Sequence, residues 1–482
     1  MTLLGDPSDL LPGAPQLRDA LDAAGWSATA LEELLGATAR THLDRGELAP
    51  VLRRLRGSDP LSTLARLLVV GAPVDPAQAS AAGVPASWLG TDGRALARLQ
   101  PVVHGGVEVL VPHDPPGRDP QTVIGVGAAS LTLAAATPRD VVTRTLDLGA
   151  GCGVQALLAE DHSRSVVATD RNPRAAAYTR LAAALNRTDV EARTGDLLEP
   201  VAGERFDLVV SNPPFVVGAG PGATRHDYRD AGLAGDEVCR RIVQALPQHL
   251  APGGTAVVLA NWLHVEGEDG AERVASWFAG SGCDAWVVER EVAAPEDYVT
   301  AWLRDGDDDF GGDPGAYDGW LDALAAQRVE AISFGVLALR DSGRPPGQGR
   351  LTHDAPDQAL AATWGEQVPA HFAALDLLDT PDADLLARRP RVRADVRLHQ
   401  VARQSPDGWV IERQLLQQET GLRWSGGVDA YGATLLAGCD GTRALGDLLA
   451  VLASSAGLTD GEAAEQVLPV VRQLLGQGFL LA

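Results

Sequence analysis

Residues 211–215 read Ser211-Asn212-Pro213-Pro214-Phe215 and close an apolar run, Phe206, Leu208, Val209 and Val210. An amide nitrogen or an aromatic amine is a weak nucleophile because its lone pair is delocalised. A site acting on one must orient it and favour sp3 character as the electrophile arrives. The Asn212 side-chain oxygen and the Pro213 carbonyl can accept two N–H bonds from such a group and aim its lone pair. Neither acceptor is a strong base, which suits a product that loses its proton after transfer, with catalysis from positioning and electrostatics. Pro213 and Pro214 stiffen the turn, and Phe215 offers a flat face to an amide or a base. The plainer alternative is a structural Pro-Pro turn after a strand.

Upstream, Asp147-Leu148-Gly149-Ala150-Gly151-Cys152-Gly153 closes another apolar strand and opens a helix. Gly149 and Gly151 permit a backbone course and a close ligand approach that side chains would block, while Gly153 lets the following helix pack tightly. A dinucleotide site reads G-x-G-x-x-G with a pyrophosphate over the helix start, whereas the spacing here is G-x-G-x-G. Asp147 would repel a pyrophosphate and attract the ammonium of a methionine moiety, which favours S-adenosylmethionine over NAD. Roughly 20 residues beyond the loop, Val166-Val167-Ala168-Thr169-Asp170 ends in a carboxylate that can accept both ribose hydroxyl protons. Asp170-Arg171-Asn172-Pro173 also reads as a helix start, so capping is a second role for Asp170. Cys152, Cys239, Cys283 and Cys439 lack CxxC or His-rich spacing, so neither a metal site nor a disulfide framework is expected.

These motifs require strands that end side by side. From about residue 120 to 340 apolar strands alternate with helices, the pattern of an open, mostly parallel sheet. The expected strands are 144–148, 165–169, 191–194, 206–210, 254–260, 284–289 and 332–339, with an exposed Asp- and Gly-rich loop at 304–313 before the last. Residues 15 to about 100 show helical leucine spacing (Leu17, Leu21, Leu31, Leu34, Leu35). A helix-turn-helix or winged-helix arrangement follows from the break at Gly71 to Asp75, with a hairpin through Gly105-Gly106 as wing or platform. After the Pro-Gly punctuation at 342–349, a hairpin is expected around Ser405 to Gly408, then helices through Leu445 to Leu452 and Val467 to Leu475. The 482 residues thus divide into a helical, winged-helix-like domain (1–118), the sheet domain (119–341) and a hairpin plus winged-helix-like domain (342–482).

The formal net charge of −24 repels polyanions at long range and argues against broad, nonspecific nucleic-acid binding. A local patch at Arg388, Arg389, Arg391, Arg393, Arg397 and Arg403 reads as a solvated strand face or as a guide for nucleic acid. All 40 basic residues are arginine. No apolar run reaches the ~18 residues of a membrane span, and no basic segment precedes an apolar one at the N-terminus, so a cytoplasmic protein is expected.

The glycine loop followed by Asn212-Pro213-Pro214-Phe215 resembles the Rossmann-like, S-adenosylmethionine-dependent N-methyltransferases, among them the release-factor glutamine and the ribosomal RNA guanine-N2 and adenine-N6 enzymes. The resemblance covers about residues 120–340 and implies a seven-stranded α/β core. It implies that Asp147, Gly149, Gly151, Gly153 and Asp170 hold S-adenosylmethionine, with Asp196 and Leu197 at the adenine. Asn212, Pro213, Pro214 and Phe215 would then form the catalytic turn, with Asn212 also beside the cofactor. Tyr228 to Gly235 resembles the acidic, glycine-rich turn of the release-factor enzymes. Ile124 to Leu131 departs from the Pro-Arg-x-Glu-type segment those enzymes carry before the loop. A protein glutamine side chain is the favoured acceptor, with an exocyclic amine of RNA or DNA as the alternative. A small-molecule acceptor or a noncatalytic cofactor-binding module ranks below both.

Overall fold

A computed structural model describes residues 5–117, 119–217, 235–306, 314–356, 358, 360–361, 363–406 and 408–481. The turn expected at 228–234, Arg225, His226, most of the loop at 304–313 and Asp407 lie outside them; Arg304 to Gly306 end a helix. The chain forms two compact units, one of residues up to 134 and 140–354, the other of 135–139 and from 355 on.

In the first unit, helices α1 (Ala14–Ala23), α2 (Ala28–Asp44), α3 (Leu48–Arg54), α4 (Pro60–Leu64) and α5 (Pro76–Ala81) precede an antiparallel hairpin, β1 (Arg98–His104) and β2 (Val107–His113). Next come α6 (Ala128–Ala136), β3 (Val142–Leu148), α7 (Val154–Ala159), β4 (Ser163–Asp170), α8 (Pro173–Asn186), β5 (Val190–Thr194) and β6 (Phe206–Ser211). The unit closes with α9 (Glu237–Ala245), β7 (Leu250–Val265), α10 (Gly270–Ser276), β8 (Asp284–Ala293), α11 (Pro295–Gly306), α12 (Pro314–Ala326), β9 (Val329–Arg340) and β10 (Leu351–Asp354).

Strands β3 to β10 make one sheet in the order β10-β8-β9-β7-β6-β3-β4-β5. Only β9 runs antiparallel to its neighbours β7 and β8. The central strands are near-continuous apolar runs because helices cover both faces. All seven expected strands are present. The eighth, β10, adds to the edge beside β8: its sequence, Leu-Thr-His-Asp, has no apolar run, and its place is set by polar contacts. Arg350 N donates to Asp284 Oδ1 at 3.0 Å and Trp286 Nε1 to Asp354 Oδ2 at 2.7 Å.

The boundary drawn at 118/119 falls inside a shared core. Leu17, Leu21, Leu68 and Trp88 bury in one cluster with Leu157, Tyr178, Leu181 and Leu185 of α7 and α8. Helix α8 is alanine-rich and apolar almost all round, so it packs against the sheet on one side and the N-terminal helices on the other. The hairpin serves as platform. Val109, Leu110 and Val111 join that core, and Asn186 at the end of α8 clamps β2 by accepting from Leu110 N (2.8 Å) and donating to Leu110 O (2.7 Å).

In the second unit, α13 (Gln367–Leu378), α14 (Asp382–Ala387), α15 (Ala430–Gly438), α16 (Leu445–Ala456) and α17 (Asp460–Gly476) enclose Leu385, Leu435, Leu448, Leu449, Val471, Leu475 and Phe479. Thr459 and Glu462 form a capping box that starts α17. A short pair, β11 (Arg391–Val392) with β15 (Leu480–Leu481), and a three-stranded sheet, β12 (Val396–Ser405), β13 (Gly408–Gln418) and β14 (Ser425–Gly427), complete it. The hairpin and helices expected after residue 395 are all found.

Candidate active site

Strand register lines up four carboxyl ends. Leu148 lies opposite Thr169 on one side and Ser211 on the other, and Asp170 lies opposite Thr194. The order reverses at β3, whose successor β4 is on one flank and β6 on the other, so a crevice opens there. Asp147, Gly149, Gly151, Asp170, Asp196, Leu197 and Asn212 to Phe215 therefore line one cavity of about 570 Å³. Gly153 stands behind it at φ 82°, where a Cβ would sit 3.1 Å from Thr179. It does not line the cavity, where a cofactor contact was expected of it, and its lack of a side chain lets α7 pack closely on Thr179 of α8.

Asp147 is only 1% exposed and its Oδ2 accepts from Ala156 N (2.9 Å) in the first turn of α7. Burial, helped by the charge of Asp170 and opposed by that N–H, pushes its carboxyl up to about 7. Asp170 holds the glycine loop: Oδ2 accepts from Gly151 N (2.9 Å) and Oδ1 from Asn172 N (2.8 Å). Burial raises its pKa against those two bonds. The capping role expected of Asp170 belongs instead to Asn172, whose Oδ1 accepts from Arg174 N (3.0 Å) ahead of Pro173. Leu197 sits in the left-handed region at φ 44°, an uncommon position for a branched side chain that sets it at the cavity wall. Asp196 is exposed. Cys152 fills space; burial pushes its thiol up to about 12.

Ser211 Oγ donates to Leu148 O (2.8 Å), tying the end of β6 to the start of the glycine loop. The Asn212 side chain turns its Nδ2 toward Ser130 Oγ (3.4 Å), and among the described residues no donor reaches its Oδ1. Phe215 is 6% exposed, with ring neighbours Trp302 at 6.0 Å and Phe334 at 5.4 Å. The open platform expected of it is thus largely enclosed. Val217 N donates to Tyr298 Oη (2.8 Å) and Trp320 Nε1 to Val217 O (3.0 Å), so α11 and α12 fix the chain just past the turn.

Several lining residues carried no separable signal in the sequence. Thr122 to Ser130 form one wall, held from the hairpin: Gln100 accepts from Val126 N (2.9 Å) and donates to Val126 O (3.2 Å). Asp114, 2% exposed, accepts from Val123 N, Tyr178 Oη and the Arg174 guanidinium. Gln155 Nε2 donates to Ser130 O (2.6 Å). Trp302 comes from α11, far along the chain, and only tertiary packing reveals it.

Residues 124–267 match the family described as the methyltransferase small domain. That span opens at the Ile124 wall and contains the glycine loop, Asp170 and the Asn-Pro-Pro-Phe turn. Residues 23–102 and 369–482 match two domains of unknown function, DUF7059 and DUF7782. The release factor glutamine methyltransferase of Geobacter sulfurreducens is 33% identical over 162 residues, 32% of this chain and 55% of that protein. The ribosomal RNA small subunit methyltransferase C of Alcanivorax borkumensis is 32% identical over 24% of this chain and 32% of its own length. The chain thus spans about half or less of these relatives. A solved T. thermophilus 16S rRNA N2 methyltransferase, in complex with AdoMet and guanosine, is 26% identical over 36% of this chain and 44% of its own, with a TM-score of 0.28. Beyond the matched span, β8, β9 and β10 complete the sheet of the methyltransferase domain.

Proposed function

We propose that the chain is an S-adenosylmethionine-dependent N-methyltransferase acting on a planar nitrogen, with a protein glutamine side-chain amide as acceptor. The observation that carries this reading is the Asn212 side chain, its oxygen reached by no donor among the described residues, in one cavity with the Gly149 to Gly151 loop and Asp170. The cavity suits the cofactor chemically. A Cβ on Gly151 would meet no atom within 4 Å, so the loop leaves open space along its backbone. Each Asp170 oxygen keeps a lone pair for a ribose hydroxyl. The Thr122 and Thr169 hydroxyls line the cavity, buried and without partners among the described residues.

S-adenosylmethionine, held by the Gly149 to Gly151 loop and Asp170, would supply there an electrophilic methyl group on a sulfonium sulfur. Asn212 Oδ1 and the Pro213 carbonyl accept the two amide N–H bonds and turn the nitrogen lone pair toward the carbon. Pro213 and Pro214 hold those oxygens in place before the acceptor arrives. Once the nitrogen is tetravalent, one of its protons leaves, and neither oxygen needs to be a base. Phe215, boxed by Trp302 and Phe334, still lines the cavity beside Asn212. An exocyclic base amine is the second reading, favoured by the similarity to the ribosomal RNA enzyme. No described helix is long and apolar enough to cross a membrane, and we place the reaction in the cytoplasm.

The test is incubation of the purified protein with radiolabelled S-adenosylmethionine and a lysate of its host, followed by protease or nuclease. Label released by protease supports the glutamine acceptor. Label released only by nuclease replaces it with the base amine, and no transfer of label sinks the reading.

A further inference from the structure

The cavity wall at residues 122–127 takes up neither helix nor strand. Val126 stands between Gly125 and Gly127, so the segment has no local preference that fixes its course, and partners elsewhere in the fold must set it. The hairpin sets it. Asp114 N donates to Val123 O at 2.9 Å, and Asp114 Oδ2 accepts from Val123 N at 2.9 Å. Three residues on, Gln100 of β1 accepts from Val126 N (2.9 Å) and donates to Val126 O (3.2 Å), the double exchange that a paired strand residue makes. Gly125 comes so close that a Cβ there would lie 2.8 Å from Gln100 Oε1 and 2.9 Å from the His113 ring.

These contacts give the wall two sides. Val126 packs against the shared core, while Ile124, Gly125 and Gly127 line the cavity. The ends of the wall are anchored separately: Asn172 Nδ2 donates to Gln121 O (3.1 Å) and Gln155 Nε2 to Ser130 O (2.6 Å). Between those ends, Val126 is held through its backbone by the Gln100 amide, and Gln100 itself is not among the lining residues.

We infer that Gln100 is a positioning residue for the cofactor: from the hairpin it pins Val126 and so keeps Ile124 to Gly127 in the shape that receives S-adenosylmethionine. The inference rests on the S-adenosylmethionine reading of the cavity and adds a residue that touches no ligand. It also gives a task to the segment 23–102, which matches a domain of unknown function and contains Gln100. Without the amide the wall divides its time between the placed course and others. Affinity for the cofactor then falls as the placed fraction falls. Each neutral hydrogen bond of this kind shifts such an equilibrium about 5-fold, and the two together about 25-fold.

The experiment is calorimetric titration of the full chain with S-adenosylhomocysteine, paired with deuterium exchange of residues 122–130. Gln100→Ala should raise Kd about 5- to 25-fold and speed exchange of the wall, with the melting temperature of the free protein lowered by no more than about 4 °C. Gly125→Ala should do the same from the other side, because its Cβ displaces the wall from Gln100 and His113. Gln100→Glu separates positioning from general destabilisation. Its carboxylate accepts from Val126 N but repels Val126 O, whereas the protonated acid restores both bonds. The ratio of its Kd to that of wild type should therefore fall several-fold between pH 8 and pH 5.5. Kd values within 2-fold of wild type for the alanine variants, or a Gln100→Glu ratio that does not change with pH, overturn the inference. A wild type that binds no S-adenosylhomocysteine sinks the cofactor reading and this inference with it, whereas wild-type binding that the variants leave unchanged sinks this inference alone.

Discussion

Replacing Asp170 with alanine tests the cofactor side of the site most directly. The carboxylate accepts one backbone N–H on each oxygen, from Gly151 and from Asn172, and keeps one lone pair on each for the ribose hydroxyls. Hydrogen bonds to a charged group contribute roughly 1.5–3 kcal/mol each. Two such contacts at the lower end sum to about 3 kcal/mol, or about 150-fold in affinity for S-adenosylmethionine. Calorimetric titration of Asp170→Ala should show that loss, together with a lower melting temperature as the loop loses both anchors. The discriminating ligand is S-adenosylhomocysteine lacking the 2′- and 3′-hydroxyls, which wild type and variant should bind within a few-fold of each other. If the variant discriminates between the hydroxylated and dideoxy ligands as strongly as wild type does, Asp170 does not read the ribose and the reasoning fails.

Asn212→Ala should leave S-adenosylmethionine affinity within a few-fold and abolish methyl transfer to the identified acceptor; full turnover would remove Asn212 from its role. Asp147 has its folded pKa raised from 3.8 to about 7, so its contribution to stability is fully present below about pH 4 and is lost as pH rises through about 7. That loss amounts to at most about 4 kcal/mol. Asp147→Asn keeps an acceptor for Ala156 N, so the variant should gain stability over wild type from pH 5 to 8 in denaturant titrations. Parallel profiles would refute the buried charge. Gly153→Ala forces a Cβ onto φ 82° and to 3.1 Å from Thr179, and should cost about 2 kcal/mol or more in the same assay. A melting temperature unchanged to within about 1 °C would show that α7 yields.

The sheet was legible because its strands are long apolar runs buried on both faces, and the site because its motifs sit where such strands end. Asp147, Gly149, Asp170 and Asn212 could be paired before any coordinates because each closes a strand. Three parts were hidden for separate physical reasons. Strand β10 is held by Arg350, Trp286 and Asp354 through polar contacts that leave no periodicity. Trp302 and Tyr298 reach the turn from a helix that lies some 85 residues downstream of Asn212 in the chain. The capping role passed from Asp170 to Asn172 because both read alike in Asp-Arg-Asn-Pro, and only the hydrogen bonds separate them.

The common core of α1, the hairpin and α8 has a consequence for how ligand occupancy is felt across the first unit. Asn172 starts α8 beside the glycine loop, and Leu185 and Asn186 end it among α1 and β2. A helix that spans both regions opens as one cooperative block, so a ligand that fastens its first turn lowers the rate at which the whole block opens. Backbone amides of α1 and β2, remote from the cavity, should then exchange with solvent deuterium more slowly when the cofactor is bound. The N-terminal helices would in that sense report on the cavity without touching its contents.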